Sequence, residues 1–180
     1  MQGWREVLDE LLSSRRPALI AYAALLTGSR VDAEDLVHDA VVRAFARPRH
    51  FPNVHAAEGY LRRSIANRYL DRARSGRRFT AAMPRLASSA VVPERDRDAC
   101  LDVRAALTTL SPRQRACVVL RFYEDLTVPD IAEVLGISLG TAKRYLSDGV
   151  AGVDAALGIR QDAPTDDHET VAIRIASGGN

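Results

Sequence analysis

The residues with the clearest chemistry sit in the stretch TVPDIAEVLGISLGTAKRYL (127–146) and just beyond it. Helical periodicity places Ser138, Gly140, Thr141, Lys143, Arg144 and Ser147 on one outward face. Two cations there can neutralise backbone phosphates, the hydroxyls can bond base edges, and a glycine admits close approach. This is the chemistry of a surface that enters a DNA major groove. A second concentration is basic. Arg62, Arg63, Arg68, Arg72, Arg74, Arg77 and Arg78 face only Glu58 and Asp71 along the same predicted helix. A solvated helix usually alternates charge sign, so this run reads as a polyanion contact. A third cluster is acidic: Asp32, Glu34, Asp35 and Asp39. Acids at a helix start complement its dipole whatever else they do, so helix stability alone could explain them.

Other chemistries lack their residues. No glycine-rich phosphate loop, HExxH motif or Ser/His/Asp constellation is present, and His38, His50, His55 and His168 are scattered. Cys100 and Cys117 have no histidine at metal-ligand spacing and read as small buried hydrophobes. No enzyme activity, metal or cofactor is expected.

The elements positioning the groove-facing residues are legible from their caps. Thr127 and Asp130 form a capping box, and Pro129 fits the first helical turn. Ile131, Ala132 and Leu135 make an apolar face, Gly136 suits a left-handed stop, and Ser138 caps the next helix. Ala142, Tyr145 and Leu146 then point inward. Two short helices about a tight turn make a helix-turn-helix, although an ordinary helical hairpin shares this short pattern.

Upstream, helices are predicted over 4–12, 18–27, 32–47 and 56–73. Pro17 begins or kinks the second, and Gly28 closes it. Asp32 is the expected cap of the third, with Asp35 at the box position. Leu36, Val37, Ala40, Val41, Ala44 and Phe45 form its inward stripe. The loop 48–55, PRHFPNVH, holds two prolines, an aromatic and two histidines. Residues 80–98 show no period and read as a flexible linker. A helix over 99–110 follows, and Ser111, Pro112 and Gln114 then open another. The tail from 158 is polar and reads as disordered. Its apolar alternation at Val171, Ile173 and Ile175 is either a docking strand or merely a short apolar end.

These elements describe an all-α chain of two small helical domains, 1–79 and 99–157. The formal net charge of +2 is unevenly spread. Residues 1–79 hold 14 basic against 9 acidic side chains, whereas 99–157 hold 6 against 7. Basic charge therefore lies mainly away from the helix-turn-helix. With no signal peptide and no apolar run of spanning length, a cytoplasmic protein without membrane insertion is expected.

Together the segments resemble the extracytoplasmic-function (ECF) sigma factors, small two-domain members of the sigma-70 family. DAEDLVHDAVVRAFARPRHF (32–51) and AEGYLRRSIANRYLDRARSGRR (57–78) look like sigma region two. LSPRQRACVVLRFYEDLTVPDIAEVLGISLGTAKRYLS (110–147) looks like region four. The resemblance implies a promoter-specificity subunit of core RNA polymerase. Asp32, Asp35, Leu36, His38 and Asp39 would dock on the β′ clamp helices. Phe51, Asn53, His55 and Tyr60 would capture an unpaired base of the −10 element. Arg62, Arg63, Arg68, Arg72 and Arg74 would hold the adjacent backbone. Ser138, Gly140, Thr141, Lys143, Arg144 and Ser147 would read the −35 element, while region four also rests on the β flap. Promoter DNA, core polymerase and an anti-sigma factor are the implied partners.

This chain departs from the family pattern in several places. His38 and Asp39 replace a usual Gln and Glu, and Tyr60 replaces a usual Trp. Where the family's recognition helix commonly continues with basic residues, 148–154 reads DGVAGVD, uncharged or acidic with two glycines. Two rival readings are a stand-alone helix-turn-helix regulator, which would need dimer symmetry, and a helical adaptor that sequesters another protein.

Overall fold

Pro17 has no amide hydrogen to donate, and the chain responds with a widened turn. In the computed structural model, which describes residues 4–46, 50–79 and 97–158, α1 (Trp4–Glu10) runs through a π-helical turn (Leu11–Arg15) into α2 (Arg16–Thr27). The hydroxyls of Ser13 and Ser14 donate to the Glu10 carbonyl at 3.1 and 2.6 Å. The proline thus bends a continuous helical path. Gly28 ends α2 at φ +75°, its N–H bonded to the Ala24 carbonyl at 2.9 Å.

Next comes α3 (Arg30–Phe45), capped by Ser29 and not by Asp32. Ser29 is extended, and its Oγ accepts from the Asp32 N–H at 3.3 Å. A serine directly after the left-handed glycine reaches the first turn before Asp32 can, so the helix starts earlier than its acids indicate. The following helix, α4 (Val54–Phe79), likewise exceeds its expected bounds at both ends. Leu11, Leu19, Tyr22, Leu26, Leu36, Leu61 and Ile65 are fully buried where α1 to α4 pack.

A second compact unit carries α5 (Arg97–Thr109), α6 (Pro112–Phe122), α8 (Leu139–Ala156) and α7 (Val128–Leu135) as far as Glu133. Every regular element among the described residues is helical, so the fold is all-α. The reciprocal box of Ser111 and Gln114 starts α6, with Pro112 in its first turn. Arg115, buried on the same helix, donates to the Thr108 and Leu110 carbonyls at 2.7 and 3.4 Å. It thereby satisfies acceptors at the end of α5 that the helix itself cannot. Cys117 is fully buried, and desolvation pushes its thiol up to about 11 against the opposing pull of Arg113. It is inert packing, as its sequence context implies. The described helices include none long and apolar enough to cross a membrane. Of the linker expected over 80–98, residues 97 and 98 already belong to α5, and residues 80–96, the expected tail beyond Gly158 and the side chain of Cys100 lie outside the described residues.

The two glycines of the 148–154 stretch have a packing reason. A Cβ on Gly149 would lie 2.6 Å from Val118 Cγ2 and 3.3 Å from the Gln114 carbonyl oxygen. One on Gly152 would meet Leu110 Cδ2 at 2.5 Å. Glycine is what lets α8 close on α6, and burial offsets its weak helix propensity. Overpacking typically costs about 1–3 kcal/mol, and Ala regains up to about 1 kcal/mol of propensity. Gly149→Ala should therefore destabilise by roughly 1–2 kcal/mol in urea unfolding. Gly59→Ala, whose Cβ would meet nothing within 4 Å inside α4, should stabilise by about 0.5–1 kcal/mol. An unchanged or raised stability for Gly149→Ala would show that Val118 simply turns away.

Candidate nucleic-acid interface

On α8 the predicted division of faces is present. Ala142 is buried, Tyr145 and Leu146 are half-buried, and Gly140, Lys143, Arg144 and Ser147 are exposed. The helix packs on α6 and α5, and α7 precedes it, with Thr127 Oγ1 and Asp130 Oδ2 2.6 Å apart in the expected box. Gly136 stands at φ +60° between the two helices. Ser138 caps α8: its Oγ accepts from the Thr141 N–H at 3.2 Å and lies 2.7 Å from Thr141 Oγ1. Both hydroxyls therefore serve the cap, and of the residues expected outward Ser138 is exposed whereas Thr141 is half-buried. The Arg144 guanidinium sits 5.4 Å from the Tyr145 ring centroid, with Arg113 at 5.9 Å. Stacking on one ring steadies both cations.

In the first unit the loop residues divide by role. Phe51 is buried, its ring centroid 5.8 Å from that of Phe45 and 5.5 Å from that of Tyr60. It anchors the loop and offers no exposed face. Asn53 is exposed, but its Oδ1 accepts from the Ala56 N–H at 2.9 Å, capping α4. Its amide nitrogen and the second lone pair of Oδ1 are left to address a partner. His55 is exposed beside it, and Tyr60 is half-buried.

The arginines of α4 separate in the same way. Arg62 points inward, 2.5 Å from Glu58 and over the Tyr22 ring at 5.8 Å. Glu58 is itself buried and also meets Arg15 at 3.6 Å. Arg68 donates through Nε to Asp39 Oδ2 at 2.9 Å, and a second Arg68 nitrogen reaches the same oxygen. Arg72 lies 3.6 Å from that oxygen and donates to the Asp35 carbonyl at 3.3 Å. Arg63 is exposed, and Arg74 makes a loose, exposed pair with Asp71 at 3.7 Å. The outward charge of α4 among these five is therefore that of Arg63, Arg74 and part of Arg72.

A similar sorting applies to α3. Asp32, Asp35 and His38 are exposed, whereas Leu36 is fully buried. Asp39 is occupied by Arg68, by Arg72 and by Arg43, whose Nε lies 3.0 Å from Oδ1. The outward line of the helix is Val31, Asp35, His38 and Val42, with Val31 66% and Val42 53% exposed. Sequence reasoning missed both valines. The available signal was that Val42, although apolar, falls off the stripe Leu36, Val37, Ala40, Val41, Ala44 and Phe45 that the helical spacing turns inward. Among the described residues no group of three or more His, Cys, Asp or Glu could hold a metal ion.

Residues 11–79 match the family described as Sigma-70 region 2, and residues 100–151 match Sigma-70, region 4. The chain is 33% identical to an RNA polymerase sigma-E factor of Streptomyces coelicolor, over 81% of this chain and 84% of that protein. It is 30% identical to the ECF RNA polymerase sigma factor SigM of Mycobacterium tuberculosis, over 87% and 80% respectively. Among solved structures, the sigma factor RpoE of Bartonella quintana, crystallised with the anti-sigma factor NepR, aligns with a TM-score of 0.65 at 25% identity. That alignment covers 85% of this chain and 97% of the other.

Partial burial pushes the Asp39 carboxyl up, but hydrogen bonds and charge from Arg68 and Arg43 outweigh it and hold its pKa below the ordinary value. A lowered folded-state pKa makes its contribution to stability complete above the unfolded carboxylate range, near 3.9, and lost as pH falls through the lowered value. Wild-type stability should therefore fall faster below about pH 4 than that of Asp39→Asn. At neutral pH the variant should be less stable by on the order of 1–2 kcal/mol. Parallel pH profiles of urea unfolding for the two proteins would refute the tie.

Proposed function

Because the chain belongs to the ECF sigma factors of the sigma-70 family, we propose how its two units divide the recognition of promoters between them. It is a sigma factor and not an enzyme: it directs transcription initiation by binding core RNA polymerase and recognising promoter DNA. The finer assignments rest chiefly on one observation. A single chain presents a braced helix with exposed Lys143 and Arg144 in one unit, and an arginine face beside the Asn53 loop in the other.

In this reading α8 enters the duplex of the −35 element, with its exposed residues facing base edges and phosphates. The exposed Asn53 and His55 address an unpaired base of the −10 element, while Phe51 and Tyr60 hold the loop that carries them. Arg63, Arg74 and Arg72 bind the neighbouring backbone. Arg62 and Arg68 serve indirectly, by fixing α4 to α2 and α3. The clamp of the β′ subunit takes the Val31, Asp35, His38 and Val42 line of α3. An acid and a histidine set between two exposed valines give the line both charge and apolar area for a partner to cover. Leu36 and Asp39 support that line from behind. Region four rests on the β flap.

An anti-sigma protein is a further proposed partner, supported by the NepR complex of the Bartonella quintana relative. The work of a sigma factor places the chain in the cytoplasm. The stand-alone regulator has less support, since the sequence holds no sustained heptad seam to make a dimer. Gel filtration with core polymerase followed by promoter-dependent transcription separates the readings.

Two outcomes are expected of variants. Asp35→Arg and Val42→Asp should each reduce co-elution with core polymerase at least about tenfold while leaving thermal unfolding unchanged, as for central residues of an interface. Co-elution that survives both changes would remove α3 from the docking surface. Asn53→Ser, which keeps an N-cap acceptor, should alter which −10 sequences the holoenzyme transcribes. Arg63→Ala or Arg74→Ala should instead weaken binding to all sequences and reduce the logarithmic salt slope by about one. Promoter switching by the arginine variants and silence of Asn53→Ser would reverse these roles.

A further inference from the structure

Leu139 is the first residue of α8 and is 45% exposed. A lone surface leucine is ordinary, but the neighbours of this one give it a specific setting. Gly140 follows it with no side chain, and a Cβ there would meet nothing within 4 Å. The polar residues of the same turn, Ser138 and Thr141, are bonded to each other at 2.7 Å, so one hydroxyl proton is spent between them. Ser138 Oγ is further committed to the Thr141 N–H. The exposed cations Lys143 and Arg144 come a full turn later. The leading end of α8 therefore offers a partner an apolar side chain that is nearly half exposed.

In a B-DNA major groove the methyl group displayed on a base edge is the thymine C5-methyl, and apolar side chains contact it. The first residues of a recognition helix are those that reach base edges. We propose that Leu139 is a specificity-determining residue that reads the C5-methyl of a thymine in the upstream promoter element. The inference rests on α8 being the duplex-reading helix and adds a residue outside that helix's cationic and hydroxyl face. Thymine differs from uracil by this methyl alone, so the contact has a direct chemical probe. Removing one such group from water favours binding by about fourfold. The contact releases no counterion, so that factor should not change with salt, unlike the contribution of Lys143 or Arg144.

The test uses holoenzyme reconstituted from the full chain and core polymerase. It selects from a duplex library randomised across the upstream element, synthesised once with thymine and once with uracil. Wild-type holoenzyme should enrich an A·T pair at one position of the thymine library, with about fourfold weaker preference there in the uracil library, at two salt concentrations alike. Leu139→Ser should lose that difference while still enriching the remaining positions, and Leu139→Met should retain it. Thermal unfolding of Leu139→Ser confirms that the exposed position has not disturbed the fold. Equal wild-type preference in the two libraries would overturn the inference. So would a thymine–uracil difference that persists in Leu139→Ser, because it would then arise from duplex shape. Failure of wild-type holoenzyme to enrich any upstream sequence would overturn it at a different level, by removing the reading of α8.

Discussion

The carboxylate of Asp39 joins two helices that would otherwise meet with mismatched charge. Its partner Arg68 is 29 positions away on α4, and Arg43 and Arg72 reach the same group. Side-chain exposure of Asp39 is 25% and of Arg68 23%, so the pair is partly withdrawn from water and weakly screened. A helix bearing Arg62, Arg63, Arg68, Arg72 and Arg74 needs counter-charge wherever it packs. Asp39 supplies it toward α3, and the buried Glu58 supplies it toward α2 through Arg62 and Arg15. What remains outward is the charge that packing did not require.

This constraint also redistributes α3. An acid held by three arginines has little left to offer a partner, and reversing its sign would strike the α3–α4 contact before any docking surface. The exposed line one helical step away is made by Val31, Asp35, His38 and Val42. The two ends of the proposed division, polymerase on α3 and DNA on α4, are thus mechanically adjacent through one carboxylate. In the second unit glycine plays the corresponding part. Gly149 and Gly152 let the rear of α8 close on α6 and Leu110, which holds the helix while its leading turn stays exposed.

Local features were legible in the sequence, and long-range ones were not. The boxes at Ser111 and Thr127, the left-handed glycines Gly28 and Gly136, and the cap at Ser138 each depend on residues within four positions. Ser29 is hidden in the sequence because the acids behind it look like a stronger start, although serine is as good an N-cap as aspartate and it is Ser29 that accepts from the Asp32 N–H. Periodicity placed Arg62 and Arg68 on a polar face. It could not tell which arginines meet a carboxylate from another helix. The family resemblance includes Leu36 in the docking set, whereas its own spacing puts it on the inward stripe, where it is fully buried. The two glycines of 148–154 have no local reason in the sequence, because the residues they accommodate, Val118 for Gly149 and Leu110 for Gly152, lie well upstream in the chain.

The charge map then limits how the upstream contact can work. Residues 99–157 carry 6 basic and 7 acidic side chains, and α8 itself exposes only Lys143 and Arg144 as cations. Each phosphate neutralised contributes one increment of counterion release, so this unit can gain little affinity from the DNA backbone. Asp148, exposed one turn beyond Arg144, lowers that further. Selectivity, however, is a difference between sequences, and backbone contacts add nothing to it. In the proposed division, a duplex-reading α8 poor in cations depends more heavily on short-range contacts at base edges. It also depends on a second DNA-binding unit and a polymerase surface to raise its effective concentration. Two weak modules on one chain suit a subunit that must grip a promoter only when joined to core polymerase. Either unit alone would then leave most of the chromosome unoccupied, which a strongly basic recognition helix could not do.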